Sequence, residues 1–124
     1  MYWAEDRVGP LRIKGAYAYK DLLERSKVIG LGTDFPVEKV KPVHTVYAAT
    51  ARKDLDNYPQ GGFEFSNALS REETLKGMTI WAAYLNFEEK EKGSIEKNKF
   101  ADFIIIDRDI MEVELNLTPQ TEVL

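Results

Sequence analysis

The 124 residues contain no cysteine and a single histidine, His44. Without cysteine there is no disulfide, no thiolate zinc site and no cysteine nucleophile. One histidine rules out, within this chain, every mechanism or metal site that needs two, including His-x-His and His-Glu-x-x-His pairs. Chemistry run by this polypeptide alone therefore falls to carboxylates, hydroxyls and lysines. Long apolar runs are missing as well. None approaches the roughly 20 residues of a membrane helix, and no charged segment followed by an apolar one opens the chain as a secretory signal would. The expected compartment is the cytoplasm, with no membrane partner. Nor does either sign of charge dominate: 17 Lys+Arg against 21 Asp+Glu leaves a formal net charge of −4. Such mild acidity gives no reason to expect nucleic acid as a partner.

What is present is the composition of one small soluble domain, 44% hydrophobic and 31% charged, without repeats or low-complexity tracts. Residues 11–25 carry Ile13, Ala16, Tyr19, Leu22 and Leu23 at helical spacing, with Gly9-Pro10 as an entry. Residues 28–34, VIGLGTD, are short, apolar and flanked by charge and proline, which reads as a buried strand. Gly30 and Gly32 inside it suggest that something approaches closely there. Pro42 opens a second helical stretch with Val43, Val46, Tyr47 and Thr50 on one face. Residues 54–69 form a long loop holding Pro59 and Gly61-Gly62. Ser70 and Glu73 have the spacing of a capping box that announces a third helix running to about Asn86. Its inward stripe is expected at Leu75, Met78, Ala82 and Leu85, with Trp81 alongside. A charged run, 88–99, then leads to a strand-like segment at Phe103–Ile106. Helix, strand, helix, helix, strand is α/β grammar. Two strands do not make a sheet that stands alone, so the chain reads as part of a larger fold.

Two stretches carry a resemblance when taken together: Gly32-Thr33-Asp34-Phe35-Pro36-Val37, and Lys92-Gly93-Ser94-Ile95-Glu96 followed by Lys99, Ala101, Asp102 and Asp107. In that order and spacing, the chain from about Trp3 to Asp109 resembles the C-terminal part of a metal-dependent hydrolase of the amidohydrolase superfamily, in its amidohydrolase-3-type branch. The resemblance implies a fragment of a (β/α)₈ barrel plus part of a small β-sandwich domain, as helices packed on a few short strands. Residues 1–88 would be the last barrel strand and its flanking helices, and 89–124 part of the composite sandwich. It further implies that Asp34, at the end of the eighth strand, contacts a divalent metal, usually zinc, and shuttles the proton of the attacking water. Catalytic residues of such barrels sit at the C-terminal strand ends.

The histidine ligands of that family have no counterpart here, and a barrel of this type needs roughly 250 residues. The chain is thus expected to be a piece cut at both sides, to bind no metal alone, and to be inactive alone as a hydrolase of non-peptide C–N bonds. Its expected partners are the missing N-terminal portion of the enzyme or a second copy of itself, and a small-molecule substrate for the full enzyme. The alternative is a non-catalytic oligomerising or binding module derived from such an enzyme. Asp34 itself has a plainer reading, as a residue capping the turn before Pro36. His44 is read as a helix-surface or partly buried histidine. Arg52 and Lys53, with Gly61-Gly62, either border a substrate mouth or belong to a solvated helix end. Ser26 and Asn98 stand where the family commonly has glycine, which asks them for positive φ.

Overall fold

The computed structural model describes residues 2–124. Among these residues it contains five α-helices: α1 (Tyr2–Arg12), α2 (Tyr19–Ser26), α3 (Pro42–Ala51), α4 (Arg71–Met78) and α5 (Ile80–Leu85). Short 3-10 turns lie at Ile13–Gly15, Phe65–Asn67 and Leu115–Gln120. The expected helix over 11–25 is broken in two. The chain leaves helical geometry after Ile13–Gly15 and turns at Tyr17, whose φ is 55°, before α2 begins. Gly9-Pro10 does act as an entry, because α1 kinks at Gly9 (φ 74°, ψ 170°) and its second half starts with the proline.

Helix α3 is the centre of the molecule. Pro42 occupies its first turn, where a missing N–H costs nothing and φ is already set. The helix buries Val46, Tyr47, Ala49, Thr50 and Ala51, so it is covered almost all round, as an apolar helix must be. The Leu115–Gln120 turn and α4 pack against it. The core joins Leu23, Ala49 and Leu69, with Tyr19, Ile29, Leu31 and Trp81 packed around them.

The capping box of α4 forms as expected. Ser70 Oγ accepts from the Glu73 N–H at 3.1 Å, and a Glu73 carboxylate oxygen accepts from the Ser70 N–H at 2.8 Å. The helix does not run unbroken to Asn86, however. Thr79 (φ −126°, ψ −98°) separates α4 from α5. The buried stripe is also displaced: Thr74, Gly77 and Ala83 are buried, while Leu85 is exposed. Gly77 is the reason. A Cβ there would lie 2.9 Å from Leu31 Cγ and 3.1 Å from the Ile29 carbonyl oxygen, so only glycine admits the 28–34 segment against the helix.

Among the described residues the β-structure is an isolated antiparallel bridge, Ile106↔Val123. The expected strands at 28–34 and 103–106 are therefore not sheet strands here. Residues 29–34 keep a strand's alternation, with Ile29, Leu31 and Thr33 half-buried and Gly30, Gly32 and Asp34 exposed. What they lack is a strand to pair with. The Leu31 N–H instead donates to the Gly77 carbonyl at 2.9 Å, one of the acceptors left over in the last turn of α4. Gly30 is approached as expected, by Leu85 Cδ1 of α5, whereas a Cβ at Gly32 would meet open space. The C-terminal stretch folds back on the helices. Arg71 of α4 donates to the Ile110 carbonyl at 2.7 Å and to that of Val113, and Lys41 pairs with Glu122 at 3.3 Å. Asn98 adopts the positive φ expected of it (73°), whereas at the end of α2 it is Lys27 (65°) rather than Ser26 that does so.

Candidate functional site

Asp34 sits where the alternating segment 28–34 ends and the chain turns. Its backbone carbonyl accepts from the Val37 N–H at 2.8 Å and the Glu38 N–H at 3.3 Å, which closes the turn. Its φ of 57° lies in the left-handed region that aspartate tolerates better than most residues. The plainer reading of this residue asks the carboxylate to cap that turn. It does not: no hydrogen bond to the Asp34 side chain is formed by the described residues, and the carboxylate is exposed to solvent. The neighbouring Phe35 N–H points instead to Thr33 Oγ1 at 3.4 Å.

Around this acid the turn carries a rim of exposed apolar side chains, Phe35 (64% exposed), Val37 (78%) and Val40 (69%). Sequence reasoning did not single out this rim. Three apolar residues in a proline-containing turn have no periodicity to reveal which way they face. Thr45 of α3 ties the helix to the segment through the Gly32 carbonyl at 3.5 Å. His44, one residue before, lies half-buried in the first turn of α3. Partial burial lowers its pKa, the lysine charges of Lys41 and Lys39 lower it further, and Glu38 opposes them. Burial and the neighbouring lysines thus favour the neutral imidazole.

These groups do not make a metal centre. Among the described residues no cluster of three or more His, Asp or Glu side chains is placed to hold an ion, and a protein site for zinc takes three or four ligands. Asp34 offers one carboxylate, and none of the described residues joins it.

Arg52 is neither solvated nor at the surface of these residues. It is 5% exposed and ends α3 in a left-handed conformation (φ 57°). Its Nε donates to the Phe63 carbonyl at 3.0 Å and one Nη to the Tyr17 carbonyl at 3.1 Å. Lys53 and Gly61 do border a surface depression of about 510 Å³, with Tyr47 and Asn57. A second groove, of about 430 Å³, is lined by Lys20, Lys27, Glu73 and Trp81 among others. Asp34 borders neither depression. Four carboxylates have lowered pKa: Glu73 by its bond from Lys20 and the Ser70 cap, Glu88 by Lys92, Glu96 by Lys99, and Asp107, to about 2, chiefly by Arg108. Each is explained by a structural ion pair.

Residues 1–121 match the amidohydrolase family. Among individual proteins, YtcJ of Bacillus subtilis (strain 168), which is named as an amidohydrolase, is 30% identical over 112 residues, covering 90% of this chain and 21% of that protein. The protein LONG AFTER FAR-RED 3 of Arabidopsis thaliana is 31% identical over 94 residues, 76% of this chain and 16% of its own length. The N-substituted formamide deformylase of Arthrobacter pascens is 28% identical over 93 residues, 75% of this chain and 17% of its own. The chain thus spans about a fifth of the length of these relatives or less. No solved structure matches it.

Proposed function

The chain belongs to the amidohydrolase family, and we propose that it supplies one acid, Asp34, to an active site that hydrolyses a non-peptide C–N bond. The observation that carries this reading is the free carboxylate at the end of the 28–34 segment. It is exposed, unpaired among the described residues and held on a turn closed by its own backbone carbonyl. An aspartate there has little side-chain freedom to lose, and it can accept a proton from an attacking water and deliver it to the departing nitrogen. In this reading segment 28–34 is the last strand of a barrel, residues 1–88 its flanking helices, and 89–124 part of a second, β-rich domain. The divalent metal common in the family would be contacted by Asp34, with its remaining ligands supplied by side chains outside these residues. The name of the Arthrobacter pascens relative supports amide-type substrates, small molecules whose C–N bond is not a peptide.

The test compares two samples. The 124-residue chain with zinc added should give no turnover of an N-substituted formamide, and genuine turnover would overturn the reading. In a longer polypeptide that contains this segment and is active, Asp34→Asn should cost about 10²–10⁴ in kcat. Because the Asp34 side chain is exposed and unbonded, the same substitution should leave stability within about 0.5 kcal/mol. Unchanged activity would remove Asp34 from the mechanism.

A second reading is favoured by one observation. Phe100, Phe103, Ile104 and Ile105 are each more than 60% exposed, and such a patch on a small protein marks an association surface. In that reading the chain is a self-associating module without catalysis of its own.

A further inference from the structure

We propose that Gly77 of α4 is a positioning residue for Asp34. By having no side chain it sets how closely segment 28–34 lies on the helix, and thereby where the carboxylate at the end of that segment stands. This rests on the reading of Asp34 as the acid of a C–N hydrolase, and goes beyond it by naming what holds the acid in place.

The Asp34 side chain accepts no hydrogen bond from the described residues, so its position is set by the backbone that carries it. That backbone is tied down three residues earlier, where the Leu31 N–H donates to the Gly77 carbonyl at 2.9 Å. Burial alternates from there to Asp34 as in a strand. At a strand's rise the acid stands about 10 Å beyond the tie. One further contact lies between them, Thr45 Oγ1 to the Gly32 carbonyl, and at 3.5 Å it is the looser of the two.

At the tie the fit is close. A Cβ at position 77 would lie 2.9 Å from Leu31 Cγ, 3.0 Å from Leu31 Cδ1 and 3.1 Å from the Ile29 carbonyl oxygen. Rotation of Leu31 does not relieve this. Its side chain, like that of Ile29, packs on the core of Leu23, Ala49 and Leu69. The Ile29 oxygen belongs to the backbone, so the segment itself must move. Glycine is the weakest helix former after proline, yet α4 carries it where the segment comes nearest. Gly30 is the contrast, because a Cβ there meets only the end of Leu85, an exposed side chain that can turn aside.

A methyl group at 77 therefore displaces the segment by a few tenths of an ångström. A misplacement of about 1 Å at a reacting group costs about 10²-fold in rate, so this shift should cost about tenfold. Asp34 acts on the proton in the chemical step, and the loss should fall on kcat rather than KM.

The test uses an active longer polypeptide that contains this segment, assayed well below its melting temperature. Gly77→Ala should lower kcat about tenfold and leave KM within about twofold. Arg52→Lys, which weakens packing elsewhere, should lower the melting temperature and keep kcat. Leu31→Ala opens the space that the methyl needs. Added to Leu31→Ala, Gly77→Ala should raise kcat, the reverse of its effect beside leucine, and that comparison stands even if Gly77→Ala alone does not fold. Parental kcat in Gly77→Ala, with a lowered melting temperature, would overturn the proposal and leave Asp34 as the acid so long as Asp34→Asn is impaired. An equal fall of kcat in Gly77→Ala and Arg52→Lys would overturn it as well, and so would a methyl at 77 that lowers kcat alike with and without Leu31→Ala. Full activity of Asp34→Asn would instead remove the acid itself, and this inference with it.

Discussion

Arg52 is the residue on which the packing of this chain can be tested most sharply. Its guanidinium is buried, and no carboxylate among the described residues is in ion-pair contact with it. It is satisfied instead by the Phe63 and Tyr17 carbonyls, at 3.0 and 3.1 Å, and by the faces of Tyr19 and Phe63, whose ring centres lie 5.3 and 5.6 Å away. Desolvation lowers its pKa, with Tyr19 and Glu64 opposing, yet a guanidinium keeps its charge at any ordinary pH. A hydrogen bond to a charged group contributes about 1.5–3 kcal/mol net, and a partly desolvated cation–π contact about 0.5–2 kcal/mol. The cost of taking the charge out of water offsets part of this. Arg52→Ala should therefore destabilise the chain by about 3–4 kcal/mol, with the Phe63 carbonyl left unpaired. Arg52→Lys keeps the charge but loses the fork and most of the stacking, and should cost about 2 kcal/mol. Arg52→Gly should be milder than Arg52→Ala by about 1 kcal/mol, since φ is 57° here and glycine bears that without a Cβ penalty. Urea unfolding followed by the fluorescence of Trp81, which packs on the core, reads all three. With a slope of about 1–3 kcal/mol/M, the alanine variant should unfold at least about 1 M earlier. A lysine variant within about 0.5 kcal/mol of the parent would refute the reasoning, because a point charge would then serve as well as a fork.

Two further outcomes follow from the same structure. Gly77→Ala should lose about 1–3 kcal/mol from the forced displacement of Leu31, despite a helix-propensity gain of about 1 kcal/mol. Gly30→Ala meets only the movable end of Leu85 and should melt close to the parent; the reverse ranking in thermal melts would show that segment 28–34 does not lie against α4. Asp107 has a pKa depressed from 3.8 to about 2 by Arg108 and the Glu122 N–H, so its contribution is complete above pH 3.8 and fades as pH falls through about 2. The stability difference between the parent and Asp107→Asn should vanish across that window and shrink with added salt; a difference that persists below it would assign the effect to shape rather than charge.

What the sequence disclosed were features with local causes. Pro42 marks the start of α3 because proline suits a first turn, and Ser70 with Glu73 marks the start of α4 because the two satisfy each other's backbone groups. The buried face of α4 and α5 was misplaced for an instructive reason. Apolarity pointed to Leu75, Met78, Ala82 and Leu85, whereas the closest approach of another segment is decided by the smallest residue, Gly77. The break in the first helical stretch escaped for a related reason. Periodicity reports which residues share a face, and it is silent about a Tyr17 that leaves the helix to lend its carbonyl to Arg52, 35 positions on.

Strands and metal sites fail to be legible for one common cause: neither is a property of a segment. Residues 29–34 have a strand's alternation and Asp34 stands at the expected end of it, so the local half of the expectation holds. The other half depends on what lies alongside, and within this chain that is a helix carbonyl and a threonine rather than a neighbouring strand or a histidine. The two strand-like segments therefore end differently. The first has its backbone partly engaged by α3 and α4, and its one exposed functional group is the Asp34 carboxylate. The second, from Phe100 to Ile106, is bonded at Phe100 and at Ile105, and the described residues make no backbone hydrogen bond to 101–104 between them. If pairing requirements rather than exposed apolar area alone govern association, the second should bind a strand while the apolar rim at Phe35, Val37 and Val40 does not. That difference follows from unmet hydrogen bonds, since exposed backbone N–H and C=O groups are directional and exposed side chains are not.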